Sequence, residues 1–215
     1  MWRQRDAPAT HGGPTNETIF LIDDDISVRE GLAALIESMD LPVRAFGSAT
    51  EFLGAALMEA EGCIVLDVDM PGMNGLDLQR EMNAAGIPLP IIFLTGHGDI
   101  PMTVQALKAG AVHFLTKPVQ EDDLSAAIRQ ALETGRQVRS ERAEVRTLRQ
   151  RFDSLAPRER QVMRLVASGR LNKQIAYELG TSERTIKLYR GQVMRKMCAD
   201  SLADLVKQAQ KLNVT

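Results

Sequence analysis

Ile19-Phe20-Leu21-Ile22 is a short apolar run that ends in Asp23-Asp24-Asp25. Val28, Leu32, Leu35, Ile36 and Met39 follow at spacings of three and four, the period of a helix with one buried face. The same strand-then-helix unit recurs. Further strands are predicted at Val43–Phe46, Cys63–Leu66, Pro90–Leu94 and Val112–Leu115, alternating with helices near 49–59, 74–85, 100–109 and 121–134. Continuous apolar strands alternating with helices imply a parallel sheet covered on both faces. Residues 18–134 are therefore expected to form an α/β flavodoxin-like (βα)5 domain, with its ligands at the carboxyl ends of the strands.

The chain around this domain is different in kind. Residues 1–17, rich in Pro, Gly and Thr without apolar period, read as a disordered tail. Residues 135–152 form an arginine-rich helical linker. Leu124, Ala131, Val138, Val145 and Phe152 fall seven apart along it, which fits either a solvated spacer or a paired coil. Residues 153–215 read as an all-α four-helix domain, with helices near 158–168, 172–179, 183–197 and 201–212 and polar caps at Asn172, Ser182 and Ser201.

Charge divides the chain at the same place. Residues 1–134 hold 8 Lys+Arg against 20 Asp+Glu, a balance of −12, and residues 135–215 hold 18 against 8, a balance of +10. An acidic module for cations or protein partners thus precedes a basic one suited to a polyanion. Two cysteines among 215 residues exclude a disulfide scaffold, and no apolar run reaches the roughly 20 residues of a membrane span. The start of the chain has no apolar secretory core, so a cytoplasmic location is expected.

In a parallel sheet, Asp23-Asp24 after the first strand and Asp67 after the third lie on one edge. Their carboxylates repel one another unless a cation neutralises them, and hard oxygen donors suit Mg²⁺. Thr95 and Lys117 end the fourth and fifth strands. A hydroxyl and an ammonium beside metal-bound carboxylates make a pocket for a phosphoryl group, with Asp67 as nucleophile. Taken singly, each has a plainer role, such as a helix cap or turn residue. Together at successive strand ends they point to phosphoryl chemistry.

Residues 18–134 resemble the receiver domain of bacterial two-component response regulators. The resemblance rests on Asp23-Asp24, Leu66-Asp67-Val68-Asp69-Met70-Pro71-Gly72-Met73-Asn74-Gly75, Thr95-Gly96-His97-Gly98-Asp99-Ile100-Pro101 and Phe114-Leu115-Thr116-Lys117-Pro118. It implies that Asp67 accepts a phosphoryl group from a sensor histidine kinase. By the same likeness, Asp24, Asp67 and the backbone carbonyl of Asp69 hold Mg²⁺, with Asp23 acting through water. Thr95 and Phe114 match a switch pair, and a cis Lys117–Pro118 bond is implied. Asp69 departs from the Arg or Asn of many relatives and is expected to tune the phosphoryl lifetime. His97 is expected to shape the site rather than act in it.

The run from Asn172 to Tyr189 has helix-turn-helix spacing: Ala176 lets the helices approach, Gly180 suits the turn, and Ile175, Leu179 and Ile186 face inward. Arg184, Lys187, Leu188 and Arg190 are then presented to solvent, as a major-groove helix requires. Residues 153–215 resemble the LuxR-type DNA-binding domain, on Pro157-Arg158-Glu159-Arg160, Asn172-Lys173-Gln174-Ile175-Ala176, Thr185-Ile186-Lys187 and Met194-Arg195-Lys196-Met197. That likeness implies that Lys187 and Leu188 meet base edges while Lys173, Arg184 and Arg190 hold phosphates. Ala156 replaces a usual Thr, at a cost of about 1 kcal/mol in lost capping. Tyr189 stands where His is frequent.

The whole chain after the tail resembles the FixJ branch of the NarL family. A phosphorylation-activated transcriptional regulator is therefore expected. Its implied partners are a sensor histidine kinase, double-stranded promoter DNA, a second copy when phosphorylated, and RNA polymerase, with no membrane. The alternative is a haloacid-dehalogenase-like phosphatase, with Asp67 as nucleophile and Asp69 as general acid. Its chain order is wrong, since Asp23 and Asp24 precede the nucleophile strand and Met70-Pro71 stands where that family has a threonine. A turnover enzyme is not expected.

Overall fold

A computed structural model describes residues 17–55, 60–96 and 100–214, in two compact units, Met1–Val138 and Arg139–Thr215. The first unit holds β1 (Thr18–Ile22), α1 (Ile26–Glu37), β2 (Val43–Phe46), α2 (Ala49–Gly54), β3 (Gly62–Asp67), α3 (Gly75–Ala85), β4 (Ile91–Thr95), α4 (Ile100–Lys108) and β5 (His113–Thr116). The strands form one parallel sheet in the order β2-β1-β3-β4-β5. This is the flavodoxin-like architecture expected from the alternating pattern.

Alternation along each strand feeds two cores. Phe20, Ile22, Ile64, Leu66 and Phe93 pack with Phe52 of α2, Leu78 and Met82 of α3 and Ala106 of α4. Ile19, Leu21, Cys63, Val65, Ile92 and Leu94 point the other way, onto Leu32 and Ile36 of α1 and onto Leu124 and Ile128. Each such side chain contributes about 1.5–3 kcal/mol, so the sheet must be covered on both faces to be stable. The helices start at polar caps: Asp25 accepts from the N–H groups of Ser27 and Val28, Ser48 from Glu51, and Asn74 from Asp77.

Helix α5 (Glu121–Asp153) belongs to both units. Leu124, Ala127, Ile128 and Ala131 are buried on the sheet, and Arg136 donates to Glu17 at 2.9 Å. Glu17, the last residue of the segment read as a tail, is thus buried and ion-paired. At the other end, Leu148 and Phe152 join the core of the second unit. The seven-residue series is therefore largely spent inside the two units. Val145 alone of the five is exposed, at 39%, which favours a solvated spacer over a coil seam.

The second unit continues with α6 (Pro157–Ala167), α7 (Asn172–Glu178), α8 (Glu183–Met197) and α9 (Leu202–Lys211) around Val162, Met163, Ile175, Ile186, Val193 and Leu205. Gly180 takes φ +62° in the α7–α8 turn, where Thr181 N–H closes onto the Ala176 carbonyl at 2.9 Å. Ser182 and Ser201 cap α8 and α9. Asn172 does not cap α7. Leu171 holds that position, its N–H bonded to Gln174 Oε1, and Asn172 lies in the first turn with its side chain engaged elsewhere. Ala156 makes no side-chain cap for α6, yet its N–H still reaches Glu159 Oε2 at 2.7 Å, so the returning half of the cap survives.

Candidate functional site

The registers Ile22↔Leu66, Asp67↔Leu94 and Thr95↔Thr116 align the carboxyl ends of β1, β3, β4 and β5 along one edge. One carboxylate oxygen from each of Asp23, Asp24 and Asp67 lies within 4.8 Å of the others. Asp23 and Asp67 are buried, while Asp24 is exposed. Lys117 Nζ, just past β5, stands 2.7 Å from Asp23 Oδ2 and 2.9 Å from Asp67 Oδ2. The Lys117–Pro118 bond is cis, as the resemblance implies. Lys117 N–H donates to the Thr95 carbonyl at 2.7 Å, tying the last two strand ends together.

Burial pushes the Asp23 carboxyl above its usual range, against the opposing pull of the Lys117 ammonium. For Lys117 burial works against the charge, but hydrogen bonds to Asp23 and Asp67 outweigh it and hold the ammonium above its usual value. The mouth thus pairs three acids with one bonded cation. Its donors are all oxygens, a set that fits Mg²⁺. It is the one group of three or more potential acidic, His or Cys ligands that converges among the described residues.

Around the rim, Asp69 is exposed. Its N–H approaches Asp67 Oδ1 at 3.3 Å, and its carboxylate lies 3.5 Å from the hydroxyl of the buried Thr95. Phe114 on β5 is half-buried against the core, 6.2 Å from the Phe93 ring. His97 lies outside the described residues. Gly75 begins α3 where a Cβ would fall 2.5 Å from the Asp67 carbonyl oxygen, so only glycine lets the helix start this close to the site.

Sequence reasoning did not find Arg29. From the second turn of α1 its Nη1 turns back to donate to the carbonyls of Asp23 at 2.6 Å and Asp24 at 3.3 Å. An arginine four residues past the Asp25 cap was the available signal, but spacing does not reveal which way so long a side chain bends.

On the basic unit, Lys173, Arg184, Lys187 and Leu188 are exposed. Arg190 departs from the expected solvent-facing set. It is half-buried and donates to Asn172 Oδ1 at 2.7 Å, bridging α8 to the start of α7. Glu159 on α6 is buried and bonded to Lys196 Nζ at 2.7 Å, which ties α6 to the far end of α8. Tyr177, not singled out by sequence reasoning, is 91% exposed on α7.

Comparison with known proteins agrees with both halves of this geometry. Residues 19–129 match the family described as the response regulator receiver domain, and residues 153–209 the luxR family of bacterial regulatory proteins. The chain is 49% identical over 201 residues to nodulation protein W of Bradyrhizobium diazoefficiens, covering 94% of this chain and 88% of that one. It is 46% identical over 200 residues to the transcriptional regulatory protein FixJ of Azorhizobium caulinodans, covering 91% and 93%. Among solved structures it is similar to the response regulator StyR, with a TM-score of 0.77 at 47% identity, covering 92% of this chain and all of that one. The chain belongs to the NarL/FixJ family of response regulators, phosphorylation-activated proteins that regulate transcription by binding DNA. No described helix is long and apolar enough to cross a membrane.

Proposed function

We propose that Asp67 is the phosphoacceptor of this regulator. The convergence of Asp23, Asp24 and Asp67 on Lys117 carries the reading. A carboxylate oxygen of Asp67 attacks the phosphorus of a phosphohistidine on a sensor kinase. The P–N bond breaks, its electron pair returns to the imidazole, and an acyl phosphate forms on Asp67. Asp24, Asp67 and the backbone carbonyl of Asp69 would hold Mg²⁺, with Asp23 acting through water. Bound there, the ion supplies positive charge to the phosphoryl oxygens. Lys117 gives its ammonium to the same oxygens, and Thr95 turns its hydroxyl toward them. Phe114 follows Thr95 inward. The protein promotes its own phosphorylation and dephosphorylation and turns over no other substrate.

The inward pair biases the receiver, residues 18–134, toward a state that dimerises through α4 and β5. Val104 and Leu107 of α4, exposed at 43% and 44%, support that face. The helical linker 135–152 then delivers two copies of residues 153–215 to two half-sites, and the effective concentration strengthens binding. In this reading Lys187 and Leu188 meet base edges, Lys173 and Arg184 hold phosphates of promoter DNA, and Arg190, bonded to Asn172, braces the two helices that present them. RNA polymerase is the downstream partner, and the protein works in the bacterial cytoplasm. Sedimentation velocity with Mg²⁺, before and after acetyl phosphate, tests the switch against Asp67→Asn. A monomer that dimerises only with Asp67 present is expected. A dimer in every condition would overturn phosphorylation-driven assembly.

A further inference from the structure

We infer that Arg29 is a positioning residue for the divalent cation, holding Asp24 in its binding direction by clamping the main chain on both sides of it. The inference rests on the acidic mouth being a Mg²⁺ site and adds a residue that lies outside its ligand set.

Asp23 and Asp24 differ in how they are held. Asp23 is buried, bonded through Oδ2 to Lys117 and through Oδ1 to the N–H of Asp25. Asp24 is exposed, and no hydrogen bond holds its carboxylate among the described residues. Its direction therefore depends on the backbone that carries it. The peptide planes before and after the Asp24 Cα present the carbonyls of Asp23 and Asp24, and Arg29 Nη1 donates to both, at 2.6 and 3.3 Å. Arg29 is itself anchored in α1, its N–H bonded to the Asp25 carbonyl at 2.9 Å. Charge-assisted bonds to two successive carbonyls fix both planes, and with them the line along which the Asp24 side chain leaves the chain.

The sign of the effect separates this role from simple electrostatics. Arg29 carries a positive charge beside a cation site, so through charge alone its removal would tighten Mg²⁺ binding. Through positioning, its removal lets Asp24 wander and weakens binding. Partners that orient metal ligands cost about tenfold or more in affinity when removed.

The test is calorimetric titration of the full chain with Mg²⁺, alongside thermal unfolding in EDTA. Arg29→Met is expected to weaken Mg²⁺ about tenfold, with little change in the metal-free unfolding midpoint. Arg29→Lys keeps the charge, but its side chain is one atom shorter and falls short of the two carbonyls that Nη1 reaches, so it is expected to weaken binding by a smaller factor. It decides the question if the methionine variant does not fold. Affinity that is unchanged or tighter in Arg29→Met, or unchanged in Arg29→Lys, overturns the positioning role while the site itself stands. Failure of the wild-type chain to bind Mg²⁺ overturns the site, and this inference with it.

Discussion

Lys117 Nζ lies 2.9 Å from Asp67 Oδ2, so an ammonium from just past the edge strand β5 reaches the carboxylate at the end of the central strand β3. The same ammonium holds Asp23 at 2.7 Å. One cation thus reconciles two buried acids that would otherwise repel, and this sets the first expectation.

Replacing Lys117 by Met leaves Asp23 and Asp67 buried together without their cation. Such a loss costs about 1–3 kcal/mol. The unfolding midpoint in EDTA should drop by several degrees. Added Mg²⁺ should recover more stability in the variant than it adds to the wild type. Equal gains from Mg²⁺ in both proteins would mean that lysine and ion do not share the same acids.

Asp69→Asn should change the decay rate of the acyl phosphate on the proposed acceptor Asp67, because the Asp69 carboxylate lies 3.5 Å from the Thr95 hydroxyl and the Asp69 N–H approaches Asp67 Oδ1 at 3.3 Å. Following loss of the acyl phosphate after removal of acetyl phosphate measures it. An unchanged rate would remove Asp69 from the control of lifetime.

Gly75→Ala should destabilise the receiver, since the new methyl would meet the Asp67 carbonyl oxygen at 2.5 Å and main chain must move. About 1–3 kcal/mol is expected. Phosphorylation by acetyl phosphate should slow with it, because the displaced backbone is that of Asp67.

Glu159 gives a pH signature. Burial works against its charge, but Lys196 and the Ala156 N–H outweigh that and hold its carboxyl below the usual 4.5. A carboxyl depressed on folding contributes stability that is present above pH 4.5 and drains as pH falls through its folded value. Glu159→Gln should therefore lower the unfolding midpoint at pH 7, by an amount equivalent to about 1–2 kcal/mol. The gap from wild type should close in acid. A gap independent of pH would assign the loss to packing.

Lys187 and Lys173 should separate on DNA. Lys187→Ala is expected to cost about 1–3 kcal/mol on the operator and to relax preference at one base position. Lys173→Ala should weaken all duplexes alike and reduce the salt slope by about 1. Fluorescence anisotropy across a salt series distinguishes them.

The strands and the acidic mouth were legible because their causes are local. Apolar runs of the right length mark β1, β3 and β4, and parallel pairing brings the residues that follow them to one edge whatever the loops do. The predicted strands agree with the observed ones to within a residue at either end. What escaped depends on long side chains meeting distant partners. Arg190 satisfies itself on Asn172, Arg29 bends back to the Asp23 carbonyl, and Arg136 buries Glu17, none of which a periodicity can register. The length of α5, by contrast, was legible: residues 135–152 carry no proline and read as helical, and they continue the helix that begins at Glu121.

Leu148 and Phe152 lie in the core of the second unit, yet similarity to the luxR family begins only at residue 153. The portion that must be inherited together is therefore longer than the portion that looks alike. A recombination event cutting at residue 153 would hand a new host a reader missing two of its own interior side chains. Grafts that keep the chain from Glu144 onward would retain both, along with the Lys211–Glu144 ion pair.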